Sequence, residues 1–141
     1  MPPIDPRIIT FIRKRHVLTL ATCHERQPYC ASLFYAYLKT ENLFIFTSDA
    51  ATRHLAEALQ NPAVAGAITL DTKTVGLIRG LQFQGALFRP SGELARRARR
   101  AYLRRFPFAL LGGTPLWAIR PTFFKYTDNR LGFGKKITQL E

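Results

Sequence analysis

A mainly β fold, a barrel or an α+β sheet with small helices at its ends, is what the 141-residue sequence predicts. Three observations predict it. Six or so short apolar runs are separated by turn signals at close intervals. Only three stretches carry a helical apolar period. The βαβαβ alternation of a doubly wound fold is absent, and Gly80 and Gly85 do not make a GxGxxG fingerprint.

The elements follow in order. DPRIITFIRKR (5–15) sets Ile8, Ile9, Phe11 and Ile12 on one side of a helix, with Asp5 as cap and Pro6 in the first turn. HVLTLATC is β-branched and apolar and predicts a strand. ERQP is a turn, and YCASLFYAYL predicts a second strand buried on at least one face. KTEN turns again, and LFIFT is a third strand, so an antiparallel meander is expected. DAATRHLAEALQN predicts a helix with Leu55, Ala58 and Leu59 as its stripe, stopped by Asn61-Pro62. AVAGAITL is a fourth strand. Leu77–Phe88 reads as a strand or bent pair, with Gly76, Gly80 and Gly85 marking bulges or close backbone approach. SGELARRARRAYLRRFP predicts a helix, capped by Ser91, with Leu94, Ala98, Ala101 and Tyr102 inward. FALLGGTP is a loop, LWAIRPTFFKYTDN gives one or two late strands with Pro121 at a bend, and LGFGKKITQL closes the chain.

Composition narrows the function. One domain spanning 1–141 is expected at this length. Apolar residues make up 47%, with eleven Phe and five Tyr, which excludes disorder. Twenty-one Lys and Arg against nine acids give a charge of +12, an attraction for anions of several classes. No signal peptide or membrane span is visible, so a cytoplasmic protein without a membrane partner is expected. Cys23 and Cys30 flank HERQPY and are expected as free, buried thiols. The scattered His16, His24 and His54 and the lack of a CxxC predict no metal site.

The stretch LFIFTSDAATRH carries the strongest functional signal. Thr47 and Ser48 end a strand, and Thr52, Arg53 and His54 open a helix. Free N–H groups, hydroxyls and a guanidinium together form a cradle for a terminal phosphate. The alternative is that Ser48, Asp49 or Thr52 only caps the helix. Gln82 and Gln84 share one face of their strand with Arg79 nearby, to meet either water or a ligand's heteroatoms. The six arginines between Arg96 and Arg105 read as a solvated face sooner than as a nucleic-acid grip. No nucleophile motif or telling carboxylate pair occurs, so no catalytic residue is named, and a cofactor would carry any chemistry.

This order of elements resembles the FMN-binding split β-barrel superfamily of the pyridoxamine 5′-phosphate oxidases. The features that carry the resemblance are the strand ending in FTS, the helix opening with TRH, QNPAVAGAI and IRGLQFQGALFR. KTVGLIRGLQFQG, RRFP and KYTDNRLGFGKK are further similar to its YhbP-like bacterial branch. The resemblance covers almost the whole chain. It implies a homodimer that binds FMN and acts on an unidentified small substrate. Thr52 and Arg53 would hold the phosphate, His54 standing in that same Ser-Arg-Lys stretch of the family, and Thr47 and Ser48 the phosphate or ribityl chain. The ring would lie along the second strand, near Ser32 and Leu33, beside Arg79 and Gln82. Trp117 and the segment 126–136 would reach in from the partner chain. The sequence departs from the oxidases in three places. His54 replaces a common lysine, Ser32 to Tyr35 lack the basic residues of strand two, and NRLGFGKK replaces an Arg-rich end. True pyridoxamine phosphate oxidation is therefore not expected. The rival reading is a non-enzymatic binding protein on the same barrel, for haem, a deazaflavin or another phosphorylated ligand.

Overall fold

A computed structural model describes residues 3–108 and 113–140. In chain order the elements are α1 (Pro6–Lys14), β1 (Val17–His24), β2 (Gln27–Phe34), β3 (Ala36–Leu38), β4 (Leu43–Thr47), α2 (Arg53–Gln60), β5 (Ala63–Thr69), β6 (Arg79–Phe88), α3 (Gly92–Arg105), β7 (Leu116–Asp128) and β8 (Lys136–Leu140). The strands form one antiparallel sheet in the order β2-β1-β5-β6-β7-β4-β3, with β8 also paired to β7.

Connectivity forces this sheet to curl. β2 and β3 are the two ends of the path, yet Tyr35 alone joins them in sequence. The edges must come round to meet each other, which is the split-barrel closure. Tyr35 seals the join. Its N–H donates to the His16 carbonyl at 3.0 Å, and its buried hydroxyl donates to the Ile12 carbonyl at 2.6 Å. The expected single strand over 29–38 is therefore two strands, because the chain turns a barrel corner there. The expected meander is likewise corrected, since β1 pairs with β5 and β4 with β7.

Two apolar layers hold the curl. Inside lie Leu18, Leu20, Phe44, Phe46, Phe83 and Phe124 together with α1's Ile8, Phe11 and Ile12. Outside β4, Leu43 and Ile45 meet Ala98 and Tyr102 of α3. This double cover explains the unbroken LFIF run: residues of both parities are buried, so no polar alternation survives. Phe83 lies over Gly66, where a Cβ would also sit 2.7 Å from the Thr19 carbonyl. Gly85 stands at the β6–β7 register shift, opposite Pro121, and β7 is one strand of 13 residues.

Smaller expectations are also corrected. Asp5 caps α1 by accepting from the Arg7 N–H, but the Ser91 side chain makes no cap bond. α2 starts at Arg53 and leaves 49–52 as a turn, and Leu59 is exposed. Of the three marked glycines only Gly85 has crowded backbone beside it. Cys23 and Cys30 are free, as expected, but exposed. Both project outward from the hairpin, where Cys23 faces Pro28 and Cys30 faces Ala21. Residues 109–112 of the expected FALLGGTP loop lie outside the described residues.

Candidate functional site

The end of β4 and the start of α2 bring five of the singled-out residues together. Thr47 is the last β4 residue, and its hydroxyl donates to the Tyr102 hydroxyl at 3.2 Å. Ser48 is buried, and its N–H donates to the Pro115 carbonyl at 3.1 Å. The buried Trp117 donates its indole N–H to the Ser48 carbonyl at 2.8 Å. Trp117, expected to reach in from a partner, thus supports the strand end of its own chain. Ser48 Oγ lies 2.7 Å from His54 Nε2 and 3.3 Å from Thr52 Oγ1. Thr52 donates its hydroxyl proton to the Asp49 carbonyl at 2.7 Å, so its oxygen is free to accept. Partial burial lowers the His54 pKa from the ordinary value, which keeps the imidazole neutral. A Ser–His contact of this length is one ingredient of nucleophilic catalysis. Among the described residues, however, no carboxylate forms an ion pair with His54 to orient it.

Arg53, the first residue of α2, is exposed. Its Nε donates to Glu57 Oε1 at 2.9 Å, and its guanidinium lies 4.2 Å from the centroid of Tyr29. Thr22 donates to the second Glu57 oxygen at 2.7 Å. The Thr22 and Arg53 hydrogen bonds hold the Glu57 carboxyl below its usual range. Thr22 and Tyr29 are directly paired across the β1–β2 hairpin. The hairpin and α2 therefore lock Arg53 in place from two sides, while 57% of its side chain remains exposed. Glu57, Thr22, Tyr29 and Tyr102 did not emerge from the sequence. The Arg53–Glu57 spacing of four residues was the one available signal; the others need the hairpin register.

Ser32, Leu33, Arg79 and Gln82 lie elsewhere. Ser32, Thr19, Ala67, Gln82 and Lys125 form one row across the sheet, and Ser32 and Gln82 are exposed. Leu33 points to the other face and packs on the core. Arg79 pairs with Asp128, the last β7 residue, whereas Thr47 pairs with Leu116, the first. Twelve steps of strand separate them, ~40 Å of contour. Arg79 is therefore not brought to the strand-end cluster.

A curled antiparallel sheet with three flanking helices, closed through a one-residue corner, is a split β-barrel of the pyridoxamine 5′-phosphate oxidase type. The chain superposes on a haem-binding protein from Mycobacterium smegmatis with a TM-score of 0.78 at 18% identity, over 97% of this chain and 59% of that one. A candidate pyridoxamine 5′-phosphate oxidase from Listeria innocua gives 0.69 at 14% identity, over 85% and 94%. An FAD-binding protein from Mesorhizobium loti gives 0.68 at 15%, over 87% and 94%. These likenesses establish the fold. The family comes from closer relatives. A UPF0306 protein of Enterobacter sp. (strain 638) is 45% identical over 130 residues, covering 92% of each chain. The UPF0306 protein YhbP of Escherichia coli O157:H7 is 42% identical over 133 residues, covering 94% of this chain and 90% of that one. The chain belongs to the UPF0306 (YhbP) family. No family model matches it. No helix among the described residues is long and apolar enough to cross a membrane, and none of their His, Cys, Asp and Glu side chains gather into a metal-sized group.

Proposed function

We propose that this protein binds FMN through the start of α2 and supports redox chemistry on a small substrate. The observation that carries this reading is Arg53, an exposed guanidinium fixed by Glu57 and Tyr29 at the first residue of a helix. A pre-positioned guanidinium beside helix N–H groups and hydroxyls suits a phosphate monoester. The Nε–H is given to Glu57, which leaves the terminal nitrogens for the ligand. Ser48 and Thr52 add hydroxyls, and Thr47 lies one residue before them. His54 orients the Ser48 hydroxyl as a neutral partner and adds no charge to the phosphate.

FMN, when bound, supplies an isoalloxazine that accepts and donates electrons. The chain's own part is to bind and orient it. Gln82 offers an amide to ring heteroatoms. Ser32, with Thr19 and Ala67 between it and Gln82, keeps that outward face low and unobstructed. Leu33, packed on the core, fixes the strand beneath. Gln82 and Ser32 lie on the outward face of the sheet and Arg53 belongs to the strand-end cluster, so a homodimer that sets one protomer's row beside the other's phosphate grip is our reading of how this site is completed.

The visible spectrum of the purified protein and an FMN titration by fluorescence quenching test the reading. Arg53→Ala is expected to weaken FMN affinity at least tenfold, since a charged phosphate contact contributes about 1.5–3 kcal/mol. Unchanged affinity removes Arg53 from the site, and a colourless protein that ignores FMN removes flavin altogether. The haem alternative, favoured by the haem-binding neighbour of the same fold, predicts a Soret band in the same spectrum.

A further inference from the structure

A basic cavity lies at the other end of β7 from Thr47, where α1 meets the ends of β6 and β7. Its volume is about 250 Å³, and Arg7, Lys14, Arg15, Arg79, Arg130 and Tyr126 line it. Two of these cations are matched. Arg7 grips Asp5 through Nε at 3.1 Å and a terminal nitrogen at 2.9 Å. Arg130 grips the buried Asp128 likewise, at 3.0 and 2.8 Å, and the Tyr126 hydroxyl donates to the same carboxylate at 3.2 Å. Among the described residues no carboxylate pairs with Lys14, Arg15 or Arg79.

The burial of two of these groups is unusual. Arg15 Nε and Arg79 Nε are both closed off from water, and neither has a hydrogen-bond acceptor. A buried donor without an acceptor is destabilising and rare in native folds. Both belong to side chains that line this cavity, and with Lys14 they place three unmatched positive charges there, which an anion would balance. A guanidinium presents a planar fork of N–H donors for bidentate contacts to phosphate. A tetrahedral phosphate has enough acceptor oxygens to serve two guanidinium groups and a lysine together. The cavity is smaller than a typical drug-sized pocket, which restricts the remainder of the ligand to a few atoms.

We propose that this cavity binds a small phosphate monoester through Lys14, Arg15 and Arg79, with the anchored Arg7 and Arg130 at its rim. The site is independent of Arg53 and of any flavin.

Isothermal titration of the full chain at low salt with inorganic phosphate, then with glycerol 3-phosphate, tests it. In the Arg53→Ala variant, whose strand-end phosphate grip is removed, one-site binding of either is expected. Added to that variant, Arg15→Gln and Arg79→Gln should each weaken it at least tenfold, while Arg100→Gln leaves it unchanged. With phosphate absent, melting of Arg79→Gln is expected no lower than wild type, since an unpartnered buried donor has gone. If that variant does not fold, Arg79→Lys serves; it keeps the charge, loses the fork and should still weaken phosphate at least threefold. No binding to the Arg53→Ala variant overturns the proposal. So does binding retained when Arg15→Gln/Arg79→Gln is added to Arg53→Ala, or an equal loss when Arg100→Gln is added, which would trace the affinity to net charge.

Discussion

At the scale of single residues, His54 shows how a substitution for a cation changes the chemistry of a site. A lysine there would hold a permanent charge; His54, partly buried and 2.7 Å from Ser48 Oγ, is held neutral. The sign of its pH effect follows. The folded-state pKa lies below the ordinary value of 6.5, so the unfolded chain takes up the proton first as pH falls. Stability present above pH 6.5 is therefore lost on descending from 6.5 to the folded-state pKa, and is constant below it. Melting temperature measured between about pH 7.5 and about pH 5.5 should fall more steeply for wild type than for His54→Gln, whose amide keeps the contact without titrating. Parallel curves would show that His54 is not held neutral. The sequence displayed His54 beside Arg53 but not its partner, because a contact from Ser48 to His54 across a turn depends on where α2 begins.

At the scale of elements, the strands were legible where apolar runs ended in turn chemistry, and illegible where the barrel bends. YCASLFYAYL shows no break at Tyr35, since the corner is made by long-range pairing of His16 with Tyr35. α3 was legible as a helix but not in its charges. Arg97 is tied to Glu41, and Arg105 reaches the Arg15 carbonyl, so two of the six arginines hold structure and do not face water freely. The β6–β7 pairing was legible only as a suspicion about glycine. At Gly85 an added Cβ would press on the Arg120 carbonyl and stand 3.0 Å from Pro121 Cα, both backbone atoms of the facing strand. Neither can swing aside as a side chain would. Gly85→Ala should thus destabilise the fold by about 1–3 kcal/mol, the usual scale for overpacking, whereas Gly76→Ala, with open space around it, should cost little. Urea midpoints at an unchanged m-value would measure both, and equal midpoints would mean that the bulge relaxes freely.

At the scale of the molecule, net charge of +12 and a curled single sheet act against each other. Charge of one sign opposes any compact state, and screening relieves it. The effect should be concentrated where cations outnumber acids, which is the α1–β6–β7 end of the barrel and the exposed face of α3. Raising sodium chloride from about 0.01 M to about 0.1 M shortens the screening length from about 30 Å to about 10 Å. Melting temperature should rise over that interval and then level off. The same titration distinguishes general screening from a specific anion. Sodium phosphate at matched ionic strength should raise the melting point further than chloride does, because a multivalent tetrahedral anion bound among the unmatched Lys14, Arg15 and Arg79 charges stabilises the folded state. If chloride and phosphate curves coincide in the wild type, the excess charge is a diffuse property of the surface. If they separate in the wild type and coincide in Arg15→Gln/Arg79→Gln, the extra stability resides in that cavity.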